Sequence, residues 1–337
     1  MKDEGAGMTE EYHDIRGRGA EWPSHIPKRG WLDVFWRIVA RFSEDRVMLI
    51  AAGATFYLLL SLFPALAAFV SVYGFFADPT TIAEHLSVMR GILPQGALEM
   101  IEGQLMEFAG GRPDSLGISF LISFAIAFWS ANNGVKTLFE ALNIAYRERE
   151  KRSFVSLNLL SFVFTIGFML LATLLIAVVG ILPALLALLP VDEFTDLLLR
   201  YARWPLLLLV AGLAIAILYR FGPSRARANW RWISWGSMLA CIFWLIASAG
   251  FSFYLQGFAD YNATYGSLGA AIGFMMWTWI SVIVLLVGAQ LNAEIEHQTA
   301  IDTTTGKAQP MGRRGAVMAD TLGSPQDGEE EPQRPAG

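Results

Sequence analysis

The stretch Val47–Phe76 reads VMLIAAGATFYLLLSLFPALAAFVSVYGFF, with no Asp, Glu, Lys, Arg or His over 30 positions. Coiled as a helix it would be about 45 Å long at ~1.5 Å per residue. The hydrocarbon core of a bilayer is roughly 30 Å thick. A charge at mid-bilayer costs at least ~2.5–3.5 kcal/mol, so a charge-free run of this length points to lipid as the solvent. The run is continuous rather than alternating with period two, and it is too long for a barrel strand, so it predicts a transmembrane helix. Pro64 falls inside it and is expected to kink or end the helix. The plainer use of such a proline is a packing kink; the sharper one is a broken helix that turns carbonyls toward a cavity.

Five further runs share this character: Leu116 to about Val135, Phe154–Leu189, Trp204–Tyr219, Trp232–Phe258 and Ser267–Ala293. None of the six contains Asp, Glu, Lys, Arg or His. Phe154–Leu189 is too long for one straight crossing, and Gly180 with Pro183 marks the expected break. The fold class predicted is all-α: a polytopic membrane protein of six transmembrane helices, some kinked or broken. The six candidate loops alternate in charge. Those on one side hold 14 Lys and Arg, those on the other hold four together with ten acids. By the positive-inside rule both termini are cytoplasmic. The expected location is a bacterial inner membrane.

Composition agrees. Charged residues make up 16% of the 337, against about 25% in a typical soluble domain. A net charge of −5 argues against a nucleic-acid partner, which calls for a basic surface. The single cysteine, Cys241, excludes a disulfide framework and a Cys-based metal site. No cleavable signal peptide is read in the first 46 residues, so the first apolar run is expected to direct insertion.

Outside the spans, residues 1–29 form a polar N-terminal tail. Residues 30–46 predict a cytoplasmic interfacial helix: Trp31, Val34, Phe35, Ile38, Val39 and Phe42 share one face, Asp33, Arg37 and Arg41 the other. Ser43 is the expected N-cap of the first span. Residues 47–297 form the transmembrane domain. Its outer loop, 77–115, is expected to hold two short amphipathic helices around Pro94. Residues 298–337 lack apolar periodicity and are expected to be disordered.

Catalytic spacings are scarce. No GxSxG, HExxH, P-loop or paired CxxC occurs. Glu294 and His297 form one Glu-x-x-His unit, where di-metal bundles use two together with further glutamates. No metal, no cofactor and no catalytic residue are therefore assigned, and the protein is not expected to be an enzyme. Polar side chains within spans are more informative, because unpaired amides in lipid must face another helix or a wet cavity. The candidate polar pathway is Ser61, Ser130, Asn132, Asn133, Lys136, Asn143, Asn262, Gln290 and Asn292, with inter-helix hydrogen bonding as the plainer reading. Arg37, Arg41, Arg225, Arg227 and Arg231 are expected to face lipid headgroups. Gly269 and Gly273 form a GxxxG expected to bring helices close.

Several segments resemble the YihY/BrkB family of bacterial inner-membrane proteins. They are Phe56-Tyr57 with Ser61-Leu62-Phe63-Pro64, Ala141-Leu142-Asn143 with Ala145-Tyr146, and Tyr261-Asn262-Ala263-Thr264-Tyr265-Gly266-Ser267-Leu268-Gly269 followed by Trp277 and Gly288-Ala289-Gln290-Leu291-Asn292-Ala293. The resemblance spans roughly residues 30 to 297 and implies six transmembrane helices in the cell envelope. It brings no settled activity: members long carried the label ribonuclease BN, now regarded as a misassignment. Lipid or amphiphile transport and serum resistance are the roles discussed for the family. Where the family pattern has a glutamate this chain has Gln290, which argues against proton coupling at that position. Two functions are expected in order: a transporter or flippase-like facilitator of a lipid or other amphiphile, and a non-transporting scaffold for envelope machinery. The partners expected are membrane lipids, with a second copy or an envelope protein as alternatives.

Overall fold

The computed structural model describes residues 15–76, 113–176, 193–257 and 269–325. Among these it is helical, with one isolated bridge between Ala228 and Thr304 as its only β pairing. The helices are α1 (Lys28–Glu44), α2 (Val47–Phe76), α3 (Pro113–Ala145), α4 (Phe154–Ile176), α5 (Glu193–Phe221), α6 (Trp230–Gly257), α7 (Gly269–Glu296) and the one-turn α8 (Val317–Asp320).

α7 is the central helix, touching α1, α2, α3, α6 and α8, while α2 packs along α3. Three segments are long and apolar enough to cross a membrane: Phe154–Leu171, Trp230–Leu255 and Ala271–Glu296. Val47–Ser61 and Pro205–Phe221 are shorter apolar helical stretches. The outer surface of the bundle is apolar. Trp129 is 69% exposed, and Leu170, Leu209, Ile246 and Phe253 also face outward. A water-soluble protein rarely leaves so much contiguous apolar surface uncovered.

The packed core lies at one end, where α3, α5, α6 and α7 bring Phe139, Leu142, Tyr146, Tyr219, Ile233 and Ala289 together. Gly236 and Gly288 let α6 and α7 approach. A Cβ on Gly288 would stand 2.5 Å from the Tyr219 hydroxyl, and one on Gly236 would overlap the Asn292 carboxamide. The expected GxxxG does not do this: Gly273 has open space around it. Along the same seam Trp244 donates to Ser281 Oγ at 2.9 Å and Trp277 to Ser248 Oγ at 3.1 Å, giving buried indole N–H groups the partners they need in apolar surroundings.

Several expectations change. Pro64 does not end its helix; α2 continues through it to Phe76. Pro205 likewise lies inside α5. Ser43 caps nothing: it belongs to the last turn of α1, and the chain turns into α2 at Arg46, whose φ is +49°. Gly180, Pro183, Asn262 and residues 77–112 of the outer loop lie outside the described residues.

The segment after Gln298, expected to be disordered, is folded through residue 325 and laid back over the charged end of the bundle. Thr299 and Thr303 are fully buried there. Arg314 holds the segment by donating to the carbonyls of Ala300 and Ala319, each at 2.6 Å. Arg18, also buried, donates to the carbonyls of Gln298 and Gly323. Residues 16–20 of the expected N-terminal tail are thus part of the same layer. The segment escapes sequence periodicity because a guanidinium and carbonyls hold it, not an apolar stripe.

Candidate functional site at the charged end of the bundle

The last turns of α7 alternate in direction, because residues two apart on a helix point about 200° apart while residues four apart share a face. Gln290 and Glu294 face α1. Asn292 and Glu296 face α6 and the loop before it. Each stripe meets arginines. Glu294 accepts from Arg41 Nη1 at 2.8 Å and from Arg37 Nε, and its side chain is 1% exposed. Glu296 accepts from Arg225 Nη1 and Nη2 at 3.1 and 2.6 Å and from the Thr303 hydroxyl at 2.8 Å. Burial lowers the Arg225 pKa, but the Glu296 carboxylate outweighs it and the net shift is upward. Burial also pushes the adjacent Tyr146 phenol well above its ordinary value, and the Arg225 guanidinium lies 4.8 Å from that ring.

Three of the five arginines expected to face headgroups therefore turn inward. Arg37, Arg41 and Arg225 neutralise buried acids, because an unpaired carboxylate inside the fold would cost several kcal/mol. Arg227 stacks on Phe221 at 5.1 Å and Arg231 on Trp22 at 5.0 Å. The faces of α1 differ from those read from the sequence: the buried Val34, with Trp31, Ile38 and Phe42, packs inward beside Asp33 and Arg41, and only Phe35 and Val39 of the expected apolar face point outward. Its polar stripe packs onto the protein, with Asp33 accepting from the buried Arg16 at 2.8 Å. Leu32, Phe35, Trp36 and Val39 point outward.

The candidate pathway residues divide. Ser61 donates to its own helix at Leu58 O, Ser130 is buried in α3, and Asn132 accepts from Thr165 of α4. Asn292 clasps α6 through the Gly236 N–H and Ile233 carbonyl. Gln290 donates to Asp45 Oδ2 at 2.8 Å. A glutamate there would set two carboxylates in contact, which could persist only by sharing a proton; the carboxamide needs none. These five serve packing. Asn133, Lys136 and Asn143 instead share a cavity of about 510 Å³.

That cavity is lined by one face of α3, by Tyr57 of α2, by the 146–153 loop and by Leu157 of α4. Two of its acids are saturated. Glu148 accepts from Lys151 Nζ at 2.7 Å and from the Val317 N–H of the folded tail at 2.7 Å. Burial alone would raise the Glu150 pKa, but the Arg152 guanidinium and N–H together with Asn143 hold it down to about 2. A second recess, about 310 Å³ and almost wholly apolar, opens between α4 and α5, with Phe164, Phe168, Leu171 and Leu213 among its walls. Phe139 of the polar cavity meets Phe164 of the apolar recess edge to face at 5.2 Å.

Sequence reading missed Asp33, Glu148, Glu294 and Glu296 as structural acids. The available signal was their position beside clustered arginines at helix exits. The Glu294-x-x-His297 unit is filled by guanidinium donors, with His297 Nδ1 3.5 Å from Glu294. Among the described residues no group of three His, Cys, Asp or Glu stands in metal-binding array.

The family model described as virulence factor BrkB matches residues 38–312. The ribonuclease-like protein YfkH of Bacillus subtilis is 34% identical over 253 residues, covering 72% of this chain and 88% of that one. A UPF0761 membrane protein of Nitrosospira multiformis is 28% identical, over 78% of this chain and 61% of its own length. Another from Idiomarina loihiensis is 26% identical, over 82% and 95% respectively. No solved structure matches.

Proposed function

Because the chain belongs to the BrkB family of membrane proteins, we propose that it is a six-span inner-membrane protein, both termini cytoplasmic, that facilitates movement of a lipid or other amphiphile. The observation that carries the reading is the pair of recesses meeting at Phe139 and Phe164: a polar cavity at the charged end and an apolar one beside it, both bordered by α4. An amphiphile has those two needs, a polar site for its head and an apolar wall for its chain. The arginine-rich loops favour the inner leaflet for the polar end. The pathway runs along α3 and α4; the amides of α7 are engaged in packing and lie off it.

Reconstitution into liposomes tests this. Fluorescent phospholipids initially shielded in the inner leaflet should become accessible to a membrane-impermeant quencher faster than in protein-free vesicles. Equal rates, together with a stoichiometric crosslinked envelope partner, would assign the scaffold role instead. RNA cleavage by the purified protein, abolished in Lys136→Ala or Glu140→Ala, would replace both with an enzymatic reading.

A further inference from the structure

The charges around the polar cavity do not cancel locally. Along α3, Asn133, Lys136, Thr137, Glu140 and Asn143 follow one another at helical spacing on the cavity side. The acids of its loop are fully engaged: Glu148 by Lys151 and the Val317 N–H, Glu150 by Arg152 and Asn143. Thr137 spends its hydroxyl proton on the Asn133 carbonyl. Lys136, Glu140 and Arg149 take part in no hydrogen bond or ion pair among the described residues, although Lys136 and Glu140 are one helical turn apart. Counting each lining acid with its partner leaves two cations, Lys136 and Arg149, against one exposed carboxylate.

The open hydrogen-bonding capacity has the same sign. The Lys136 ammonium offers three N–H groups, the Arg149 guanidinium five and the Asn133 carboxamide two. Open side-chain acceptors are the Glu140 carboxylate and the neutral oxygens of Asn133, Tyr57 and Thr137, so only one of them is charged. A cavity rich in unused charged donors suits a ligand rich in anionic acceptors, and a phosphate group presents several such oxygens to the two cations that line it. The volume exceeds that of a bare phosphate and falls in the range of small-molecule sites, ~300–1,000 Å³. Arg37, Arg41 and Arg225 at this end are already committed to buried acids, and Arg152 to Glu150 nearer the surface.

We propose that this cavity binds a phosphate-bearing group through Lys136 and Arg149, with Asn133 as a further donor. The assignment deepens the amphiphile reading, on which it rests for the ligand's apolar part; the phosphate site itself is tested by binding alone. Phosphate can arrive on a lipid headgroup or on a soluble ester.

Full-length protein in maltoside micelles, which carry no phosphate, separates the sources. Native mass spectrometry and thermal unfolding would be followed against phosphatidylglycerol, uncharged diacylglycerol, glycerol phosphate and inorganic phosphate. Saturable binding of phosphatidylglycerol without binding of diacylglycerol is the expected result. Lys136→Gln/Arg149→Gln should weaken it at least about tenfold. Glu140→Gln should tighten it a few-fold by removing a like charge, an effect that lost packing does not produce. Lys136→Arg keeps the site testable if the double variant is misfolded, and should retain binding. Glycerol phosphate or inorganic phosphate binding as tightly as the lipid would keep the site and assign it a soluble ligand. Equal affinity in wild type and in a folded double variant, or equal binding of diacylglycerol, would overturn the proposal. Lipid movement plays no part in these readouts, so failure of the liposome assay and failure of the site are distinguishable.

Discussion

Replacing Glu294 with Gln tests the electrostatics that join α1 to α7. The Glu294 side chain is 1% exposed, and its two partners, Arg41 and Arg37, are 3% and 13% exposed. Removing one member of a buried ion pair costs ~3–5 kcal/mol, because the opposite charge stays desolvated and unpaired. Here neither guanidinium is left bare. Arg41 keeps Asp45 at 3.0 Å and the Ala145 carbonyl at 2.9 Å. Arg37 keeps the Gln298 amide oxygen at 2.8 Å and the Glu294 carbonyl at 3.2 Å. The expected loss is therefore about 3 kcal/mol, the low end of that range. Equilibrium unfolding of the full chain in mixed micelles, followed by tryptophan fluorescence, measures it. The loss should persist at high salt, since buried pairs are screened weakly. Lys307→Ala is the internal comparison: Lys307 is exposed, and its removal should change stability by under ~0.5 kcal/mol. A loss for Glu294→Gln as small as that, or one erased by salt, would show that water reaches this end and refute the burial argument.

The glycines of the α6–α7 seam give a sign test. Gly236→Ala and Gly288→Ala should each destabilise by ~1–3 kcal/mol through overpacking, whereas Gly250→Ala, with nothing within 4 Å, should be neutral or stabilising in the same unfolding assay. Arg314→Ala removes the four donor contacts to the carbonyls of Ala300, Ile301, Gln309 and Ala319. Limited proteolysis should then cut within 299–325 at doses that leave the wild type whole. Glu150 and Asp302 both have pKa values lowered in the fold, Glu150 from 4.5 to about 2. Their contribution is present above the unfolded value and lost as pH falls through the folded one. Stability should thus decline between about pH 4.5 and 2, and Glu150→Gln should flatten that decline slightly, as suits a group near the surface.

What the sequence disclosed and what it hid follow from how each part is held. A charge-free apolar run announces itself residue by residue, so the helices were legible. The spacing of Gln290 and Asn292 already forbids a shared direction on a helix. Their separate fates were readable from two residues' difference in number. The packing face of α1 was not, because helical period does not reveal that Glu294, some 250 positions away, neutralises Arg37 and Arg41 and so draws them onto the bundle beside Val34. The folded tail was hidden for a related reason: its order depends largely on single arginines reaching main-chain carbonyls, and one residue leaves no period.

The clasp formed by residues 16–44 and 297–325 bears on what counts as a self-sufficient unit in this molecule. Cut back to the apolar crossings alone, residues 47–297, the chain would keep Glu294 and Glu296 while discarding Arg16, Arg37, Arg41, Thr303 and Arg314. The truncated bundle would keep Arg225 on Glu296 but leave Glu294 without both of its guanidinium partners, so the polar margins at either extremity are hems without which the fabric frays.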